Sequence, residues 1–98
     1  MEKIINVHTL LINRSDIDGL EAYSLIEKIA MSGNIPRPVV RAGMPIYTSS
    51  QTLLYLVGAV GNYHNDIINT LSKKYNCDVS FISDDAAKEI EFNQDIYH

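Results

Sequence analysis

The apolar run Thr52–Val57, set between Ser49-Ser50 and the glycines Gly58 and Gly61, decides the architecture of this chain. Read as a buried central strand, it ends at Gly58 and hands over to a helix beginning near Tyr63. Read as a helix, it starts from a Ser50 cap and spans about residues 50–75. Positions 53, 57, 60, 64, 67, 71 and 75 are Leu, Val, Val, His, Ile, Leu and Tyr, which is helical spacing. Gly58 and Gly61 would each cost that helix about 1 kcal/mol. Asn62 also makes a cap for the shorter helix. The strand is therefore the favoured reading, and the long helix is kept as the alternative.

The flanking segments fit the strand reading. Lys3–Ile12 is rich in β-branched residues and lacks a helical period. Asn13, Arg14 and Ser15 turn the chain, and Ser15 is the expected cap of a helix with Asp16 and Asp18 in its first turn. Ile17, Leu20, Tyr23, Ile26 and Ile29 or Ala30 recur at helical spacing, and Gly33 with Asn34 stops the helix near Met31–Ser32. Pro36 and Pro38 hold Arg37 extended. Val39–Arg41 reads as a short edge strand, and Ile46–Thr48 as a second extended piece.

Residues 63–75 are the clearest helix. Ile67, Ile68, Leu71 and Tyr75 face one side, Lys73 and Lys74 suit its negative end, and Asn76 can close it. Val79–Ile82 alternates as a strand, and Ser83, Asp84 and Asp85 open a final helix through Ile90. Phe92, Ile96 and Tyr97 are candidates to dock the chain end.

The resulting order is β-α-β-β-α-β. It predicts an α+β, ferredoxin-like two-layer sandwich: two helices on one face of an antiparallel sheet, with a short C-terminal helical extension. The alternative is a smaller sheet under a long helix. Ninety-eight residues are expected to form a single compact domain, with residues 84–98 as an acidic extension.

Charge is uneven. Through residue 83 seven acids balance seven bases, so the net −4 arises from Asp84, Asp85, Glu89, Glu91 and Asp95 against Lys88. Such an end repels phosphate backbones and favours a basic protein surface. With eight bases among twelve acids, nucleic acid is not the expected partner. The N-terminal residues lack the pure apolar core of a signal peptide, and the run Leu53–Val60 is far short of the ~20 residues of a membrane span. A cytoplasmic protein is expected.

No motif spells out a chemistry. A calcium loop with Gly19 at its sixth position would need oxygen donors where Arg14 and Leu25 stand. His8, His64 and His98 share no metal-like spacing, and Cys77 is alone and follows a helix end rather than a start. Neither a metal nor a cofactor is expected. The turn Gly58-Ala59-Val60-Gly61-Asn62 precedes a helix whose first amides could hold an anion, but it lacks a phosphate-loop lysine.

These features point to a non-catalytic protein-interaction module: an inhibitor, antitoxin-like protein or regulatory subunit that binds a basic patch. Tyr47, Tyr63 and Tyr97 are its candidate anchors, and Asp84, Asp85, Glu89 and Glu91 its charged selectors. The Val39–Arg41 edge would also allow a homodimer. The alternative is a small-ligand or anion-binding sensor built from Arg41, Thr48, Gly58, Gly61, Asn62 and His64. A third reading is a small enzyme using His64 and a neighbouring hydroxyl.

Overall fold

The structure, a computed structural model, describes residues 7–32, 39–93 and 96–97. In chain order these form β1 (Val7–Ile12), α1 (Gly19–Ser32), β2 (Val40–Arg41), β3 (Ile46–Thr48) and β4 (Thr52–Val57). A 3-10 turn (Val60–Tyr63), α2 (His64–Tyr75), β5 (Val79–Ile82), α3 (Asp84–Asn93) and β6 (Ile96–Tyr97) follow.

Every strand pairing is antiparallel, in the order β5-β1-β4-β3-β6, with β2 also on β4. Leu10 stands opposite Leu54 and Phe81, and Ile12 opposite Thr52 and Val79. Strand side chains alternate between faces, so this row points to one side and Thr9, Leu11, Leu53 and Tyr55 to the other. The first face packs on α1 and α2. Leu10, Ile12, Leu54, Leu56, Ile26, Ile67 and Leu71 are 0–1% exposed there. Full burial of each such side chain stabilises by about 1.5–3 kcal/mol before entropy is counted. The architecture is the ferredoxin-like β-α-β-β-α-β two-layer sandwich with a short added C-terminal helix.

Thr52–Val57 is a strand, and the long helix over residues 50–75 is overturned. All six residues pair with β1, from Val57 opposite Val7 to Thr52 opposite Ile12. Gly58 has φ +119°, a conformation no helix contains and one that glycine adopts without a side-chain clash. The helical spacing of Leu53 and Val57 was coincidental.

Two expected caps are corrected. Asp18, not Ser15, caps α1: its Oδ1 accepts the N–H of Leu20 at 3.0 Å and of Glu21 at 3.4 Å. Ser15 Oγ instead donates to the Ser49 carbonyl. The inward stripe is Gly19, Ala22, Tyr23, Ile26 and Ala30, and Leu20 is 42% exposed. Asn62 does not cap α2, because the 3-10 turn leads straight into it without a side-chain cap. At the other end Asn76 closes α2 in the left-handed region, φ 52° and ψ 52°, as its position predicts. Ser83 caps α3, accepting the Ala86 N–H, and the helix continues past Ile90 to Asn93. Phe92 does not dock; it is 86% exposed. The expected stop at Gly33–Asn34 and the extended Pro36–Pro38 lie outside the described residues, as do Lys3–Asn6.

The edge beside β4 is split. β2 pairs with Val57 and Leu56, and β3 with Leu53 and Thr52, while Ala42–Pro45 leave the ladder between them. Ala42 still donates to the Tyr55 carbonyl at 2.8 Å. The Tyr55 N–H, left without a strand partner, donates at 2.9 Å to the hydroxyl of Tyr23, which reaches up from α1. A side chain therefore completes the sheet where the backbone departs.

Candidate functional site

Five of the six tyrosines use their hydroxyls inside the fold. Tyr47 Oη accepts the Gly19 N–H at 2.8 Å and fixes the start of α1 against β3. Tyr63, only 4% exposed, donates to the Ala30 carbonyl at 3.1 Å near the other end of α1. Tyr75 donates to Glu21 at 3.0 Å, and Lys74 approaches the same carboxylate at 3.9 Å. Tyr55 donates to Glu91 and ties α3 to the sheet. Burial, followed by the adjoining carboxylate, pushes the Tyr55 and Tyr75 hydroxyls well above the usual tyrosine range. Burial also raises the Tyr23 hydroxyl.

This geometry places two of the three expected anchors against the fold itself. Tyr63 belongs to the core, and half-buried Tyr47 is engaged with the α1 terminus. Tyr97 pairs with Tyr47 through β6, while its side chain lies outside the described residues. The sequence reveals aromatic content, but not which hydroxyls meet orphaned backbone groups.

The expected acidic set divides in two. Asp85 and Glu89 are exposed on the outer face of α3 and join Phe92 at i, i+4 and i+7. Asp84 and Glu91 turn to another flank, where with Ala87 and Lys88 they overhang Thr9 and Tyr55 on the reverse face of the sheet. A cavity of about 240 Å³ lies between them. The acids of α3 enter no ion pair among the described residues; the pairs present are Arg14–Asp16 and Lys74–Glu21. The Arg14 hydrogen bond holds the Asp16 carboxyl below its ordinary value.

The expected ligand set does not converge. Thr48 is buried, and its Oγ1 accepts the Ser50 and Gln51 N–H groups within the β3–β4 turn. Gly58 and Gly61 lie past the far end of β4, roughly 20 Å along the strand. His64 stacks on Phe81 of β5, with ring centroids 4.0 Å apart and an interplanar angle of 23°. Arg41 is on β2, three strand spacings away, about 14 Å. The open space at Gly61 and exposed Asn62 face solvent rather than either group.

Arg41 instead borders an open groove of about 300 Å³ with Leu20, Tyr23, Ser24 and Glu27. His64 takes no side-chain hydrogen bond among the described residues, so no hydroxyl is activated beside it. Cys77 is half-buried, and burial raises its thiol despite the nearby Arg14 charge, the reverse of what a nucleophilic cysteine needs. Among the described residues no three His, Cys, Asp or Glu side chains cluster as metal ligands, and no helix is long and apolar enough to cross a membrane. Comparison with protein-family models, with curated proteins and with solved structures finds no match for this chain.

Proposed function

We propose that this domain is a non-catalytic protein-interaction module that docks a basic partner surface through the outer face of α3. One observation carries the reading: Asp85, Glu89 and Phe92 share one helical face, all exposed, with Phe92 86% accessible. Acids unpaired among the described residues retain their field for a partner, and an exposed aromatic beside them supplies apolar contact area. The anchor is thus Phe92 rather than the inward tyrosines. Inhibitory and regulatory roles both fit such a surface, since either requires only stable docking.

The test compares the intact chain with Asp85→Lys/Glu89→Lys in affinity capture from native cell extract, at low and high salt. Recovery of one stoichiometric protein, reduced by salt and lost in the reversed variant, is the expected result. Equal recovery by both forms refutes the proposed face. Phe92→Ala should weaken capture without altering the fold, because its side chain is almost fully solvated.

A further inference from the structure

The helix α3 lies over the reverse face of the sheet, yet the main core closes without it. The buried cluster between the sheet, α1 and α2 takes Ala22, Tyr23, Ile26 and Ala30 from α1 and Ile67, Leu71 and Tyr75 from α2. Among the described residues it takes none from α3. Ala87 is the one buried side chain of α3 there, while Ala86, Ile90 and Glu91 are half-buried. Phe92, the largest apolar side chain of the helix, stays in solvent.

The seat beneath α3 is imperfect. A cavity of about 240 Å³ separates Thr9 and Tyr55 of the sheet from Asp84, Ala87, Lys88 and Glu91 of the helix. Thr9 is 1% exposed, and its Oγ1 has no hydrogen-bond partner among the described residues. A buried hydroxyl in that state favours any conformation that lets water reach it. Among the described residues a single side-chain hydrogen bond joins α3 to the sheet, from the Tyr55 hydroxyl to Glu91 Oε1. The face below is apolar nonetheless: the cross-strand partners Leu11 and Leu53 are both buried there, outside the main cluster.

We propose that α3 is a displaceable cover, latched by Tyr55 and Glu91, which opens locally while the β-α-β-β-α-β body stays folded. Elements with few buried apolar contacts open at free energies below that of global unfolding. Opening breaks one latch and uncovers part of the reverse face. Hydration of the Thr9 hydroxyl offsets part of that cost. The cover thus withholds the row Thr9, Leu11, Leu53 and Tyr55 and releases it without loss of the core. This device follows from the packing of α3 alone and needs no partner, so it stands or falls apart from the docking role.

Amide hydrogen exchange of the full chain, followed residue by residue at several low urea concentrations, tests it. After correction for intrinsic rates, the amides of Lys88 to Glu91 should exchange at least roughly tenfold faster than those of β1 and β4, with a weaker urea dependence, because less surface is exposed. Tyr55→Phe should speed α3 exchange about tenfold by removing the latch. Thr9→Val should slow it, since the closed state then buries no unpartnered hydroxyl and the open state gains no hydration.

A substitution in the body separates local from global opening. Ile67→Val weakens the packing of α2, which the open state keeps. It should therefore speed exchange in β1 and β4 several-fold and leave α3 unchanged. Equal protection of α3 and the central strands, or equal acceleration of both by Ile67→Val, would overturn the cover. Exchange of α3 unmoved by Tyr55→Phe, or not slowed by Thr9→Val, would overturn the latch and the strained seat on which the proposal stands.

Discussion

Replacing Gly19 by alanine should destabilise the fold, although alanine is the better helix former. A Cβ at Gly19 would lie 2.5 Å from both Cβ and Cγ of Pro45 and 2.8 Å from Tyr47 Oη. The Pro45 ring cannot rotate away as a flexible side chain would, so the helix start or the β2–β3 loop must shift. Overpacking of this kind costs about 1–3 kcal/mol, and disturbing the Gly19 N–H to Tyr47 hydrogen bond removes about 1 kcal/mol more. The gain in helix propensity offsets at most about 1 kcal/mol, and less at the first helical position. The net expectation is a loss of about 1–3 kcal/mol, seen as a lower urea midpoint at unchanged m and a fall in Tm of at least roughly 4 °C. Pro45→Gly supplies the cycle: it removes both the Cβ and the Cγ that the new methyl meets, so the double variant should fit, with a favourable coupling of about 1 kcal/mol. Wild-type or greater stability of Gly19→Ala, or strict additivity with Pro45→Gly, would refute the steric reasoning.

Three further outcomes follow from the same contacts. Tyr55 and Tyr75 hydroxyls have raised folded-state pKa values, so the unfolded chain loses those protons first and stability should fall as pH rises above about 10. Alkaline denaturation followed by circular dichroism should show a shallower decline for Tyr55→Phe and Tyr75→Phe, and an unchanged slope in both would exclude these groups. Asp18→Ala should cost about 0.5–2 kcal/mol in chemical denaturation, whereas Ser15→Ala should stay within about 0.5 kcal/mol. Gly58→Ala should lose about 1–3 kcal/mol, because φ +119° is closed to a side chain, and equal midpoints would show that the turn relaxes freely.

The element order was legible because the decisive residues act locally. Gly58 breaks any helix through residues 50–75, and Asn76 tolerates the left-handed turn that ends α2. The capping of α1 was less legible, since Ser15, Asp16 and Asp18 all have suitable chemistry. The choice of Asp18 is set by where Tyr47 and Pro45 receive Gly19, a contact between distant parts of the chain. The candidate site was read least well, for the same reason. Acidic residues at 84, 85, 89 and 91 form one block in sequence, but helical rotation sends them to two sides of α3. Thr9 carried no sequence signal; its burial appears only when α3 covers the reverse face of the sheet. The expected ligand residues are spread out because Thr48 and Gly58 flank β4 in sequence and so stand at opposite ends of that strand.

The departure of Ala42–Pro45 from the ladder also bears on what this molecule avoids. An incoming chain seeking to extend the sheet along that margin meets the two residues of β2, then a loop with Gly43 at φ +146°. So short a template holds an intruding strand by very few backbone bonds and gives it no continuous register to copy. The Tyr23 hydroxyl has meanwhile taken the one amide that the gap would have offered. Among the described residues, the interruption thus leaves this side of the protein little that a growing fibre could copy.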